Sequence, residues 1–238
     1  MKKRLFYTGL ADGIPIAVGY FAVSFSFGIA AVAAGIAPFE ALLISMTNLT
    51  SAGQFAAIGI ISAGGSYAEM ALSQLVINLR YALMGLSLSQ KLDKSFTRVH
   101  SAILGHAVTD EIFAVAMSRP KRIRPIYFAG LAALPYIGWS AGTAAGAYLG
   151  ALLPETLCSA LSVSLYGMFI AIIVPAMKKE RSVLIVTLIA IILSCIIYYT
   201  PALSFISSGF SIIICAVAAS AVGALLFPIN DDERTEKK

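Results

Sequence analysis

The chain has 238 residues, of which 59% are hydrophobic and only 12% charged. A soluble domain carries about 25% charged residues, so a soluble bundle is excluded, having nowhere to place so much apolar surface. The net charge of +5 does not imply a nucleic-acid partner, because the basic residues fall in short clusters between apolar runs, as membrane-topology signals do. The expected class is an all-α, polytopic integral membrane protein with the lipid bilayer as its solvent.

A helix needs about 20 apolar residues to cross the hydrocarbon core. In chain order the candidate spans are about residues 10–34, 40–62, 68–90, 101–118, 125–150, 156–177, 182–199 and 203–227, which predicts about eight transmembrane helices. The first begins MKKRLFYTGLADGIPIAV and has the basic head of a secretory signal. Asp12, Gly13 and Pro15 interrupt its apolar part and more spans follow, so an uncleaved helix is expected. The second contains TNLTSAGQF, residues 47–55, with Asn48, Ser51, Gly53 and Gln54. Thr50 or Ser51 there can cap a helix beginning near Gly53, which would aim a helix N-terminus at the midplane; an unbroken helix with a packing glycine is the alternative. The third carries Asn78 and Arg80 near its middle. The fourth, the shortest and most polar, carries His106, Asp110 and Glu111.

The fifth segment contains GWSAG (138–142), which matches the serine-hydrolase pattern G-x-S-x-G. That pattern needs a strand–turn–helix context and a partnering histidine, and here it lies inside an apolar span. Gly138, Gly142, Gly146 and Gly150 recur every four residues instead, a small-residue stripe that lets helix backbones approach closely. No enzyme activity is expected. Cys158, Cys195 and Cys215 have no metal or redox spacing, and neither a metal nor a cofactor is expected.

Connections are short, so residues 1–227 read as one transmembrane domain with a charged cytoplasmic tail at 228–238. With eight crossings and the N-terminal Lys2, Lys3 and Arg4 inside, RPKRIR (119–124), KKER (178–181) and the tail also fall inside. Only Lys91, Lys94 and Arg98 would lie outside, and both termini would be cytoplasmic. Residues 15–40 run to IAPFEALL much as 135–155 run to LLPETLCS. This suggests a 4+4 parallel repeat, with halves 9–118 and 125–227 related by an axis along the membrane normal; shared small-residue composition produces the same likeness.

Arg80, Asp110 and Glu111 are the charges well inside spans. Each costs about 2.5–3.5 kcal/mol at a helix centre on insertion scales. Arg80 and Asp110 sit at matched depth and can pair, and one guanidinium facing two acids leaves a carboxylate able to carry a proton. His106 precedes Asp110 by four residues and would share its helix face. A structural Arg–carboxylate staple is the plainer reading.

Asn78-Leu-Arg80 followed by Thr109-Asp110-Glu111-Ile-Phe113-Ala114, with Ala52-Gly53-Gln54-Phe55 upstream, resembles the AzlC-type branched-chain amino acid permeases over most of the chain. The resemblance implies a bacterial inner-membrane exporter working with a small AzlD-type membrane subunit. Joined to the physical reading, it gives a proton-coupled secondary transporter of small apolar amino acids. Arg80, Asn78, Asn48, Ser51, Gly53 and Gln54 would bind substrate, Arg80 holding either its carboxylate or Asp110. Asp110, Glu111 and His106 would handle the proton or the substrate ammonium. The rival readings are a channel-like subunit and a structural membrane subunit without coupled transport.

Overall fold

The computed structural model describes residues 2–154, 156, 163, 167, 170 and 173–227. The expected sixth span (156–177), with Cys158, and the tail at 228–238 lie largely or wholly outside these residues. The second half of the suggested parallel repeat, 125–227, is therefore described only in part. Nine α-helices are named among the described residues: α1 Lys2–Ala33, α2 Pro38–Thr47, α3 Ala52–Ser62, α4 Tyr67–Ser89, α5 Arg98–Gly105, α6 Asp110–Ser118, α7 Pro125–Leu149, α8 Arg181–Tyr199 and α9 Ser208–Leu226. Four of them, α1, α4, α8 and α9, are long and apolar enough by themselves to cross a membrane.

α1 and α7 run parallel and pack along most of their lengths. Gly9 lies against Tyr127 and Leu131, and Gly28 against Thr143 and Ala147, so both helices advance together from one face to the other. The glycine stripe makes this possible. A Cβ on Gly142 would lie 2.1 Å from Ser24 Oγ and 2.4 Å from the Phe21 carbonyl oxygen, and one on Gly146 would lie 2.0 Å from the Phe25 carbonyl. Gly138 and Gly150 meet α1 in the same way, at Ala17 and Ile29. The stripe is an internal seam. Trp139, Phe27, Phe128 and Leu131, all nearly inaccessible, fill the core around it.

The second and fourth expected spans do not cross. α2 and α3 have 10 and 11 residues, α5 and α6 have 8 and 9. At 1.5 Å per residue each is about half of a 30 Å hydrocarbon core or less. α2 starts beside the end of α1, after Gly35 adopts φ +84° and closes that helix through Ile36 N–H to Ala31 O. It descends along α7 until Ser45 meets Thr143. α3 then climbs back: Phe55 packs on Phe27, Ile58 joins the cluster around Ala31, Ile36 and Ala41, and Gly65 N–H closes onto Ile60 O. α4 crosses in full to the opposite face.

There, α5 and α6 make the second hairpin. Its two flanks pair with each other: Leu92 and Ile123 form a short parallel β-bridge, with Asp93 N–H donating to Ile123 O and Ile123 N–H to Lys91 O. Lys91 Nζ also donates to the carbonyl of Met117, at the end of α6. Residues 98–118 therefore leave and return on one face. This corrects the expected crossing at 101–118, and with it the placement of Lys91, Lys94 and Arg98, which share the face of RPKRIR. Segment 40–62 also turns back, so the parity is restored and RPKRIR stays on the side of the N-terminus. The expected count of about eight spans had taken two hairpins for crossings.

Residues 2–62 and 67–118 are thus each one crossing helix followed by one re-entrant hairpin, running in opposite directions. Such an inverted relation is described by an axis lying in the membrane plane. α8 and α9 form an antiparallel pair, with Gly223 against Val186. The pair is tied to α4 where buried Glu69 accepts from Gly209 N–H at 3.1 Å and from the Ser207 hydroxyl.

Candidate functional site

The two hairpin tips meet near the middle of α4. His106 Nε2 lies 3.2 Å from Met46 O, joining the second tip to the end of α2, and the Tyr136 hydroxyl donates to the same carbonyl at 3.0 Å. Between the tips lies a cavity of about 130 Å³, lined by Thr50, Ser51, Arg80, Asp110 and Glu111 together with Tyr20, Tyr81, Leu49, Thr109, Trp139 and Ile173. That is small beside the roughly 300–1,000 Å³ of drug-sized sites.

Arg80 and Asp110 form an ion pair. The guanidinium also donates to the Tyr81 hydroxyl at 3.1 Å and sits over that ring. Asp110 and Glu111 are the first two residues of α6, where the positive end of the helix dipole stabilises carboxylates. Thr109 caps the helix, its hydroxyl accepting from Ile112 N–H. The Tyr20 hydroxyl donates to Glu111 Oε2 at 2.5 Å and lies 2.6 Å from the Thr109 hydroxyl. Asp110 thus has a cationic partner and Glu111 a neutral one, so one guanidinium faces two acids.

The first tip supplies donors. α3 begins at Ala52 with its N-terminus at the cavity, as the capping reading of TNLTSAGQF expected, and the unbroken-helix alternative falls. Ser51 holds the N-cap position with φ +47° and makes no side-chain capping bond. Left-handed backbone at a non-glycine residue is sparsely populated, and such strain gathers at functional positions. The buried polar atoms Thr50 Oγ1, Ser51 Oγ, Asn78 Oδ1 and Arg80 Nε have no hydrogen-bond partner among the described residues. Buried polar groups are normally paired, so four orphans around one tip leave hydrogen-bonding capacity open there.

The remaining sequence candidates divide. Gly53 is required by space: a Cβ there would lie 2.6 Å from both Gln74 Oε1 and Thr50 Oγ1. Its carbonyl accepts from Gln74, which in turn accepts from Asn78. Asn48 ends α2 through its own N–H to Ile44 O. Gln54 is fully buried away from the cavity, donating to Ser45 and accepting from the Trp139 indole, so it clamps α3 to α2 and α7. His106 does not share a helix face with Asp110, because the helix is broken at residues 106–109; it is a tip-to-tip tie. The Ser140 hydroxyl is buried and has no hydrogen-bond partner, histidine included, among the described residues. Tyr20, Tyr81 and Trp139 went unpredicted, since an aromatic residue in an apolar span carries no mark of where its polar atom points. Thr109 was readable as a cap before Asp110 and Glu111.

An all-helical membrane protein with two opposed re-entrant hairpins and a charged cavity at their meeting point is the class defined by this fold and site. The AzlC protein family model matches residues 15–153, more than half of the chain and the whole of both hairpins. The chain belongs to the AzlC family. Among its relatives, the inner membrane protein YgaZ of Escherichia coli is 27% identical over 184 residues, covering 74% of this chain and 75% of that one. A membrane protein of Archaeoglobus fulgidus is 31% identical over 186 residues, covering 76% and 80%. No solved structure matches the chain.

Proposed function

We propose that this chain is a secondary transporter that exports branched-chain or similar small apolar amino acids, coupled to protons, across a bacterial inner membrane. The observation carrying the proposal is the midplane cavity that joins one guanidinium, two carboxylates and unpartnered hydroxyls to apolar walls. A zwitterion with an apolar side chain has the complementary chemistry. Its carboxylate fits Arg80 Nε, the Ser51 hydroxyl and the α3 N-terminus; its ammonium fits Glu111 or Asp110; its side chain fits Leu49, Trp139 and Ile173.

Coupling follows from exchange at Arg80. A substrate carboxylate that takes the guanidinium displaces Asp110, and a carboxylate left unpaired in a low-dielectric site favours its protonated form. Binding on one side and proton uptake on the other then share a residue. Because the hairpins enter from opposite faces, each tip closes one route to the cavity, and alternating displacement of the tips would expose it in turn. The basic face holding Arg4, Lys91, Lys94, Arg98 and residues 119–124 is assigned to the cytoplasm by the positive-inside rule, which puts the N-terminus there. A small AzlD-type subunit is the expected partner.

Amino-acid efflux from loaded cells, with this chain expressed alone and beside a candidate small subunit, tests the proposal. Saturable efflux of leucine, isoleucine or valine that exchanges with external substrate is expected. Unsaturable flux would identify a channel. The Arg80–Asp110 contact also suits a structural staple, which predicts that Arg80→Ala lowers membrane abundance and leaves flux per surviving molecule unchanged.

A further inference from the structure

At the basic face, two adjoining hollows of about 670 and 610 Å³ share Leu5, Asp93 and Arg124 and form one trough between α1, α5 and α7. Its two walls differ in chemistry. One is apolar, made by Leu5, Ile103, Leu104, Ile126 and Ala129. The other carries five cations, Arg4, Arg119, Lys121, Arg122 and Arg124, against a single lining carboxylate, Asp93.

Part of that charge is already committed. Arg119 donates to Asp12 at 3.1 Å, Arg124 lies 4.0 Å from Asp93, and Arg122 donates to the Leu92 carbonyl. Arg4 and Lys121 have no ion-pair partner among the described residues. The cations lie where α1 and α7 begin, at the membrane surface, and the apolar wall runs inward from them. α5 forms much of that wall and is poorly covered: none of its residues is buried, and Val99 and Ile103 are 65% and 69% exposed. A ligand with an anionic head and a long apolar body matches both walls at once.

We propose that this trough binds an anionic phospholipid. Its phosphate sits among Arg4, Lys121 and Arg122, and an acyl chain lies along Leu5, Ile103 and Ile126, bracing the entry helix of the second hairpin. Basic hollows between membrane helices recognise lipid head groups in this way, each surface cation strengthening binding about fivefold.

The test is native mass spectrometry of the full-length protein with dioleoylphosphatidylglycerol and, separately, dioleoylphosphatidylcholine. At least a tenfold preference for phosphatidylglycerol is expected. Combined Arg4→Gln, Lys121→Gln and Arg122→Gln should reduce that binding by more than tenfold, and Lys121→Gln alone by about fivefold, which covers a triple variant that fails to fold. Ala129→Trp, which fills the apolar wall, should weaken phosphatidylglycerol as well. Equal binding of the two lipids, or phosphatidylglycerol binding indifferent to the cation variants, would overturn the proposal. Displacement of the lipid by millimolar inorganic phosphate would also overturn it, by identifying a soluble anion as the ligand.

Discussion

The smallest unit of the proposed function is the set Arg80, Asp110, Glu111 and Tyr20. A planar guanidinium supplies a fixed fork, which a lysine ammonium cannot copy. Arg80→Lys should therefore raise the half-saturating substrate concentration by tenfold or more with the protein still in the membrane, measured as concentration-dependent efflux. Unchanged affinity would remove Arg80 from carboxylate recognition. Tyr20→Phe deletes the hydroxyl donated to Glu111, leaving that carboxylate without its neutral partner. Losing one hydrogen bond to a charged group costs about 1.5–3 kcal/mol; expected outcomes are weaker transport at normal abundance and a shifted pH profile of efflux. Outside the membrane, hydrogen bonds from the Ser95 hydroxyl and backbone N–H, helped by nearby Arg124, hold the Asp93 carboxyl below its usual pKa. A lowered carboxylate contributes stability that is complete above its unfolded value and is lost as pH falls through the folded one. Hydrogen-exchange protection factors in residues 91–97, with the intrinsic pH dependence of exchange divided out, should thus stay constant at neutral pH and fall only on acidification below the ordinary carboxylate range.

Among the elements, the hairpins separate what composition reveals from what it hides. Among the described residues, apolar length located the stretches that enter the membrane. It could not tell a crossing from a return, because the apolar lengths of 40–62 and 101–118, 23 and 18 residues, satisfy both. The signals for the breaks were local: Thr109 before Asp110 and Glu111, and Thr50-Ser51 before Gly53. The caps make the first break one of two readings, beside an unbroken helix; the second is hidden because polar residues in 101–118 fit one continuous helix. Arg80 and Asp110 were rightly brought together by depth, while the face shared by His106 and Asp110 assumed a continuous helix that does not exist. Cysteines placed at Lys94 and Arg122 should react with a membrane-impermeant maleimide from the same side in oriented vesicles; labelling from opposite sides would restore the crossing. The stripe in α7 makes a sharper demand. In Gly142→Leu the new side chain meets α1 backbone and cannot repack, so a loss beyond the usual 1–3 kcal/mol of overpacking and a sharp fall in membrane abundance are expected.

For the molecule as a whole, the inverted pair of crossing-plus-hairpin units would let a fixed charged site be reached from either face. The glycine seam between α1 and α7 holds Tyr20 and Trp139 rigidly on one side of the cavity, while the tips, tied to each other by single contacts such as His106 to Met46, form the other. The proposed transport needs both the exchangeable ion pair and a proton gradient. Leucine efflux should be compared for the native chain and Asp110→Asn, each coexpressed with the small subunit and matched for membrane abundance, under an imposed proton gradient. Saturable efflux that responds to the gradient in the native protein and disappears in Asp110→Asn is the expected result. Efflux by Asp110→Asn at the native rate and with the native gradient dependence would contradict it.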